Sequence, residues 1–393
     1  MSGAVTEAPI LLAAGGTGGH MFPAQALAQE LRGRGRVVGV ITDTRGLAYA
    51  PSFGRIGVHV VAARNPTGNL VARARAALAL GAGTFQAIRL LKRQAPALVM
   101  GFGGYPSLPA MAAAVWLGVP AAIHEQNAVL GKVNRLLARR VGAIAAPVEN
   151  LQGMRAIDQR KVVCTGNPVR ADIAACHNRK YAPPLEDAPF HLVVFGGSQG
   201  ARVLSETVPA AIASLPPGIT TRLRITQQCR RDDLERARSV YDRIGVQVEL
   251  TDFIRDMPQR LAQAHLVIAR SGATTVSELT AAGLPSILVP YPHHGDQQQL
   301  ANAQSLAQAG AAWIMPEAEL TPAALAKRLQ NLIRHPQQLA EAAHAAHGLG
   351  RPDAARALAD MVERLAPRKT AQPGNGGGGG KIIPFFGARR TAA

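Results

Sequence analysis

Two glycine-rich loops contain the residue types best suited to chemistry. Residues 15–20 read Gly-Gly-Thr-Gly-Gly-His after an apolar run at 10–14, and residues 196–201 read Gly-Gly-Ser-Gln-Gly-Ala after a second run at 192–195. Glycine allows unusual backbone angles and lets a ligand approach the main chain closely. A helix that begins after such a loop offers unpaired N–H groups and a partial positive charge, which suit a phosphate. The two loops predict two nucleotide-type domains that face one cleft.

His20 ends the first loop, at the predicted start of a helix. The partial positive charge there is expected to lower its pKa and keep the imidazole neutral. A neutral imidazole can remove a proton from a sugar hydroxyl, so His20 is the candidate general base. A structural histidine, hydrogen-bonded within the loop, is the alternative interpretation.

A third cluster follows the apolar run at 266–269. Residues 270–279 read Arg-Ser-Gly-Ala-Thr-Thr-Val-Ser-Glu-Leu. Small residues at a helix start let backbone N–H groups approach a diphosphate. Glu278, about one and a half turns later, can accept hydrogen bonds from ribose hydroxyls. An ordinary helix capped by Ser271 is the alternative.

Further polar side chains follow other predicted strands. Residues 291–299 read Tyr-Pro-His-His-Gly-Asp-Gln-Gln-Gln and Asn302 follows, and such amides and carboxylates can read sugar hydroxyls. A metal site is not predicted, because His293 and His294 have no third ligand at a suitable spacing and the chain contains no Asp-x-Asp pair. Arginine and helix dipoles are expected to stabilise a diphosphate instead. The other clusters are Gly-Gly-Tyr-Pro-Ser at 103–107, His-Glu-Gln-Asn at 124–127 and Gly-Asn-Pro-Val-Arg at 166–170.

Short apolar runs that alternate with helical stretches must position these clusters. Such alternation predicts an α/β fold with parallel sheets covered on both faces and ligands at the carboxyl ends of the strands. The predicted helices include 21–34, 70–93 and 273–282. The predicted strands are 37–41, 58–61, 97–100, 120–123, 143–146, 192–195, 222–225, 247–250, 266–269 and 286–290.

The length of 393 residues favours two domains. We expect an N-terminal domain at 1–170 and a C-terminal domain at 189–350, joined near a proline-rich stretch at 170–189. A last helix at 353–365 is expected to pack back on the first domain. Residues 367–393 contain five glycines in a row and then aromatic and basic residues. This tail is interpreted either as a flexible, disordered segment or as a weak membrane or partner tether.

The net charge of +18 points to anionic partners. Aromatic residues make up only 4% of the chain and the basic residues are scattered, so a nucleic-acid-binding protein is not expected.

Neither a signal peptide nor an apolar run of the ~18 residues that a membrane span needs is visible. The stretch 70–93 carries leucines, Phe85 and several basic residues and, with Trp116, predicts either an interfacial membrane patch or an ordinary core helix. The three cysteines are interpreted as reduced thiols.

Taken in order from residue 10 to residue 365, these blocks resemble the MurG family. The resemblance implies the GT-B architecture, in which two Rossmann-like domains enclose a cleft. It implies inverting transfer of GlcNAc from UDP-GlcNAc to the C4 hydroxyl of MurNAc in lipid I (undecaprenyl-pyrophosphoryl-MurNAc-pentapeptide), giving lipid II for peptidoglycan synthesis. It implies no cofactor, a peripheral position on the cytoplasmic face of the inner membrane, anionic lipid as a partner, and contact with other cell-wall synthesis proteins.

The resemblance also assigns roles to residues, with His20 as the catalytic base. The donor-binding residues that it implies in the first domain are Thr17, Gly18, Gly19, Asn127 and Arg170. Those that it implies in the second domain are Ser198 for the diphosphate, Phe253 and Ile254 for uracil, Ala273, Thr274 and Thr275 for phosphate, Glu278 for ribose, and Gln298 and Gln299 for GlcNAc. The acceptor side is formed by Tyr105, His124 and Glu125.

This chain departs from the family pattern in places. Thr274 stands where a larger apolar residue is common, and a one-residue slip in the loop at 293–297 would exchange the roles of Gln298 and Gln299. Two other enzyme classes are alternatives: a GT-B transferase with a diglyceride or soluble glycan acceptor, and a nucleotide-sugar epimerase. The blocks at 124–127 and 166–170 argue against the epimerase. A dehydrogenase would need Gly-x-Gly-x-x-Gly and a suitably placed acid, which the chain lacks.

Overall fold

The computed structural model describes residues 7–197, 200–293 and 297–366. Within them the chain forms two parallel sheets, one before and one after residue 170. Ser198, the residues at 294–296 and the tail at 367–393 lie outside the described residues, so the interpretations given for them stay predictions.

The first sheet has seven strands within the described part of the chain, in the order β3-β2-β1-β4-β5-β6-β7. Its strands are β1 (Ile10–Ala13), β2 (Val38–Thr42), β3 (Gly57–Val60), β4 (Leu98–Gly101), β5 (Ala121–His124), β6 (Ala143–Ala146) and β7 (Val162–Cys164). The helices of this region are α1 (Gly18–Gly33), α2 (Leu70–Gln94), α3 (Leu108–Leu117), α4 (Lys132–Leu137), α5 (Ala156–Gln159) and α6 (Ala171–Ala174).

The second sheet has six strands within the same described ranges, in the order β10-β9-β8-β11-β12-β13. Its strands are β8 (Phe190–Phe195), β9 (Leu223–Gln228), β10 (Gln247–Thr251), β11 (Leu266–Ala269), β12 (Ser286–Leu288) and β13 (Ala312–Ile314). Its helices are α7 (Arg202–Ala213), α8 (Pro217–Thr220), α9 (Leu234–Ile244), α10 (Met257–Gln263), α11 (Ala273–Ala281), α12 (Gln298–Gln308), α13 (Pro322–Arg334) and α14 (Pro336–Leu349), and α15 (Ala354–Leu365) follows.

Every strand that the apolar runs predicted is present. Successive side chains of a strand point to opposite faces, and β1 shows the result: Ile10 and Leu12 pack in one core, whereas Leu11 and Ala13 pack in another. Both faces are covered, so the strand reads as a continuous apolar run. The sequence analysis missed β7 and β13. Both are three-residue strands at the edges of their sheets, and each has partly exposed residues that weaken the apolar signal.

Helix α15 returns to the first sheet. Leu358, Met361 and Val362 pack in the same core as Ile10 and Leu12. Arg34, at the end of α1, lies 2.6 Å from Asp360 and 2.8 Å from Glu363 on α15. Apolar burial supplies most of the stabilisation, because partly exposed ion pairs contribute little. The last described residues therefore lie against the N-terminal domain.

Candidate active site

The first glycine loop is held against the turn at 105–107. A Cβ built on Gly15 would lie 2.6 Å from the Cβ of Pro106, and Gly16 has a φ of +85°, so side chains are excluded at both positions. Helix α1 begins at Gly18, within the glycine-rich segment at 15–20, with Thr17 as its N-cap and His20 in its first turn. The Thr17 side chain makes no capping hydrogen bond, and the N-terminus of α1 therefore faces the loop without a side-chain cap of its own.

His20 contacts the loop that follows β5. Its Nδ1 lies 3.2 Å from Oε1 of Gln126, whose Nε2 donates to the Phe102 carbonyl at 2.9 Å. Burial lowers the pKa of His20, while the charge of Glu125 and the hydrogen bonds to Gln126 and Phe102 raise it. The direction matches the sequence-based expectation, but the main cause is loss of water rather than the helix start. The imidazole is therefore neutral near pH 7.

His124 and Glu125 are both buried and shape the loop that holds Gln126. Burial lowers the pKa of His124 to about 4, so its ring is neutral. Glu125 accepts hydrogen bonds from the backbone N–H groups of Gln126 and Asn127, both at 3.1 Å, and of Gly131 at 2.9 Å. The Asn134 amide donates to the same carboxylate at 2.8 Å. A carboxylate bonded in this way fixes the loop conformation. Tyr105 lies in the turn at 105–107, partly buried against the core.

The second glycine loop is joined to the segment after β10 by Gln228. Its Oε1 accepts from Gly196 N at 3.1 Å, and its Nε2 donates to the carbonyls of Gly197 at 3.0 Å and Asp252 at 3.1 Å. Beyond Asp252, the Phe253 side chain is 50% exposed, while Ile254 is buried in the core. Phe253 can therefore offer a ring to a base, whereas Ile254 can offer only its backbone.

Helix α11 begins with Gly272 as its N-cap and has no side-chain cap. The hydroxyl of Ser271 donates instead to the carbonyl of Gln299 at 2.7 Å, so the alternative interpretation of Ser271 as a cap is wrong. Thr274 Oγ1, in the first turn, is buried and has no hydrogen-bond partner within the described residues. Ala273 and Thr275 are buried beside it. An open helix N-terminus with an unpartnered hydroxyl suits a phosphate oxygen.

Glu278 lies two-thirds of the way along α11, where its carboxylate is 3.3 Å from Nη2 of Arg170. Burial raises the pKa of Glu278 to about 7, and the Arg170 charge opposes that shift only in part. Arg170 also lies over the Phe22 ring of α1, with 5.4 Å between Cζ and the ring centroid. Arg170 therefore contacts both domains.

Asn302, on α12, connects the two sides of the cleft. Its Nδ2 lies 3.1 Å from Asn127 Oδ1 and 3.1 Å from the Ser271 carbonyl. The loop that contains Gln126 is thereby held beside the N-terminus of α11. Of the two candidate sugar readers, Gln299 accepts from Tyr291 N at 3.0 Å, whereas Gln298 extends toward Gly131 of the N-terminal domain, where a built Cβ would lie 3.9 Å from its Nε2.

Comparisons with known proteins find relatives that match nearly the whole chain. The N-terminal domain profile of glycosyltransferase family 28 matches residues 10–146, and its C-terminal domain profile matches residues 191–358. A relative from Rhodospirillum centenum, named UDP-N-acetylglucosamine--N-acetylmuramyl-(pentapeptide) pyrophosphoryl-undecaprenol N-acetylglucosamine transferase, is 54% identical over 91% of this chain and 94% of its own length. A relative of the same name from Paramagnetospirillum magneticum is 49% identical over 93% of this chain and 99% of its own. The crystal structure of Acinetobacter baumannii MurG is 30% identical with a TM-score of 0.73, and the match covers 91% of this chain and 99% of that one.

The chain belongs to the MurG family. Its enzymes are UDP-GlcNAc-dependent N-acetylglucosaminyltransferases, and the two-domain GT-B architecture is confirmed for this member. A UDP-GlcNAc 2-epimerase from Neisseria meningitidis, bound to UDP-GlcNAc, also superposes with a TM-score of 0.63 at 14% identity over 91% of this chain and all of that one. That similarity concerns the fold alone.

Two polar residues around this MurG-family cleft, Gln126 and Gln228, were missed as site residues, whereas Asn302 was predicted only as an amide that can read sugar hydroxyls. Gln126 lies within the block at 124–127, and its amide side chain was the available signal. Gln228 ends an apolar strand and gave no such signal. All three residues act through buried hydrogen bonds to distant segments, which no local pattern reveals.

Glu278 predicts a specific pH dependence of stability. Its folded-state pKa lies above the unfolded value, so its stabilising contribution is complete below about pH 4.5 and is lost as the pH rises through about 7. Urea unfolding from pH 4.5 to 8 should show wild type losing up to roughly 3 kcal/mol relative to Glu278→Gln over this interval. The control Glu341→Gln removes an exposed carboxylate on α14 and should track wild type. A constant difference between Glu278→Gln and wild type would contradict the raised pKa.

Proposed function

We propose that this chain transfers GlcNAc from UDP-GlcNAc to the C4 hydroxyl of MurNAc in lipid I, with His20 as the general base and without a metal. The observation that carries the proposal is the position of Asn302. Its amide bonds both to the loop that contacts His20 and to the N-terminus of α11, so a proton acceptor and a phosphate site share one cleft.

The second domain supplies the donor site. The N–H groups of Ala273, Thr274 and Thr275 and the Thr274 hydroxyl bind the diphosphate, where negative charge grows as UDP leaves. Glu278 accepts hydrogen bonds from the ribose, and the exposed Phe253 ring covers the uracil. Of the candidate sugar readers, Gln298 is assigned to GlcNAc, since the Gln299 carbonyl and amide oxygens already hold Ser271 and Tyr291. Thr17, Gly18 and Gly19 approach the donor from α1.

The first domain supplies the acceptor site and the base. The C4 hydroxyl oxygen attacks the anomeric carbon, its proton passes to His20, and the bond to UDP breaks with inversion. The lowered pKa of His20 keeps the imidazole unprotonated before the reaction. Tyr105 borders the acceptor side directly, while His124 and Glu125 act from within the protein by fixing the loop at 124–127.

Helix α2 supports a membrane-surface position. One side of it packs in the core, and the other exposes an apolar patch, so each of the two interpretations of the stretch 70–93 holds for one side of the helix. Leu90 and Leu91 are core residues, whereas Leu78, Phe85 and Trp116 are exposed, and they lie among basic residues. The basic residues of α2 are Arg73, Arg75, Arg89, Lys92 and Arg93. Exposed apolar side chains beside cations favour an anionic lipid interface. None of the helices in the described ranges has the length and hydropathy of a membrane span. We place the enzyme peripherally on the cytoplasmic face of the inner membrane, where its acceptor is anchored.

The direct test is an assay with labelled UDP-GlcNAc and a short-chain lipid I analogue. The expected product is the labelled disaccharide lipid. Formation of UDP-ManNAc instead would indicate an epimerase, and transfer only to a diglyceride or a soluble glycan would indicate another acceptor.

His20→Ala should lower kcat by roughly 10² to 10⁴, because the base is lost, while UDP-GlcNAc affinity stays near wild type. The measurement is kcat in the same assay together with calorimetric titration of the donor. His344→Ala, at an exposed position on α14, is the matched control and should leave both values unchanged. A His20→Ala enzyme that retains near-normal kcat would remove His20 from this role.

Activity should persist in excess EDTA, because backbone N–H groups and Arg170 stabilise the leaving diphosphate. The transfer rate is compared before and after chelation, and again after adding magnesium. Loss of activity that magnesium restores would refute metal-free stabilisation.

Vesicle binding should require anionic lipid and weaken as salt is added. Leu78→Glu should reduce co-sedimentation with phosphatidylglycerol vesicles, because it places a negative charge on a side chain that is 75% exposed in the patch. Leu185→Glu is the control: Leu185 is equally exposed, at 75%, but lies in the connecting stretch at 170–189, where its carbonyl accepts from Arg222 of the second domain. Equal binding by both variants and wild type would exclude the α2 surface as the membrane contact.

A further inference from the structure

The Gln126 amide oxygen faces Nδ1 of His20 and can fix which nitrogen of that ring carries the proton, beside a further contact of the ring with the Phe102 backbone. Gln126 is only 3% exposed, and its amide nitrogen contacts two backbone carbonyls, Phe102 O at 2.9 Å and His124 O at 3.4 Å. A carbonyl oxygen can only accept a hydrogen bond. If the amide were rotated by 180°, its oxygen would face both acceptors without a hydrogen between them. The amide nitrogen is therefore fixed on the Phe102 side, and the amide oxygen faces His20.

His124 reinforces the same orientation. Gln126 Nε2 lies 3.1 Å from His124 Nδ1, so the second amide hydrogen is donated to that ring nitrogen. The proton of the neutral His124 ring is then on Nε2, which lies 3.4 Å from the Gly166 carbonyl. Since His124 is fully buried and neutral, this arrangement does not change near pH 7. The carbonyls of Phe102 and Gly166, which can only accept, thus fix the orientation of the Gln126 amide and the tautomer of His124.

The same logic sets the protonation of His20. The Gln126 amide oxygen lies 3.2 Å from His20 Nδ1 and can only accept, so Nδ1 must carry the hydrogen. The neutral ring then has its lone pair on Nε2. That nitrogen lies beside Gly104, where a built Cβ would be 3.2 Å away and where φ is +72°. A residue with a side chain there would crowd the basic nitrogen.

We propose that Gln126 is a positioning residue that locks His20 in the Nδ1–H tautomer and so presents Nε2 as the proton acceptor. This inference rests on the proposed role of His20. It adds that the basicity of Nε2 depends on Gln126: as the acceptor hydroxyl loses its proton to Nε2, the positive charge that develops on the ring is stabilised through the Nδ1–H···O=C hydrogen bond. The titratable neighbours are Glu125, whose charge also favours protonation of His20, and the neutral His124.

Long-range ¹H–¹⁵N spectra of protein labelled at histidine nitrogens report the tautomer of each ring directly. The His20 signals are assigned by their loss in His20→Gln. Wild type should show protonated Nδ1 and bare Nε2 above the His20 transition. Gln126→Leu removes the amide oxygen but leaves the Phe102 backbone contact, so the preference should weaken and a tautomer mixture should appear. A wild-type ring protonated at Nε2, or an unchanged tautomer in Gln126→Leu, would overturn the proposal.

Kinetics provide the second readout. Gln126→Leu should lower kcat about 10- to 100-fold, the size expected for losing one hydrogen bond to a charged group, with little change in the donor KM. The acidic limb of its kcat/KM profile should move to lower pH, because a contact that raises the His20 pKa is gone. An unchanged kcat, or a loss confined to KM, would contradict the positioning role.

Two further variants separate positioning from folding. Gln126→Glu keeps an oxygen acceptor beside His20 Nδ1, so it should retain the wild-type tautomer and more activity than Gln126→Leu. Gln227→Leu is the matched control, since Gln227 is another buried glutamine with hydrogen bonds to Leu204 and Tyr241 in the second domain. It should lower Tm without changing the His20 tautomer or the acidic limb. If wild type transfers no GlcNAc, the proposed function fails, but the spectra still decide the tautomer.

Discussion

Apolar burial on both faces of the central strands is the constraint on which this structure depends. Alternate residues of β1 and β8 enter different cores, so these two strands leave little of either face for polar chemistry. The carboxyl edges of the strands are left, and the loops there carry the polar clusters. Helix α15 completes one of these cores although it follows the second domain in the chain. The cleft therefore lies at the carboxyl ends of the strands because apolar packing occupies the faces of the sheets.

Two buried glutamates show how different environments give one residue type different roles. Glu125 accepts hydrogen bonds from three backbone N–H groups and from Asn134, which makes it an organiser of its loop. Glu278 pairs with Arg170, and burial raises its pKa to about 7. A carboxyl group that titrates near neutral pH is suited to exchange partners with a ligand.

The fold of this protein does not by itself determine which reaction the protein catalyses. The UDP-GlcNAc 2-epimerase from Neisseria meningitidis shares the two-sheet arrangement with this chain at 14% identity, so the arrangement alone does not distinguish an epimerase from a transferase. The distinction lies in what occupies the strand ends. Here the loop at 124–127 connects His20 to the N-terminus of α11 through Gln126, Asn127 and Asn302. A buried amide network of this kind specifies orientation more than it adds stability.

The sequence by itself determined the strands, the two glycine loops and the family, because apolar runs and glycine positions act locally and are read directly from residue order. It did not reveal the three-residue edge strands β7 and β13, whose short and partly exposed runs carry little signal. Nor did it show that Ser271 bonds to Gln299 rather than capping α11, or that burial is the main cause of the lowered pKa of His20. The tertiary structure alone decided the contacts of Gln126 with His20 and Phe102 and those of Asn302, since they join residues more than 20 positions apart, and only packing brings them within hydrogen-bond distance.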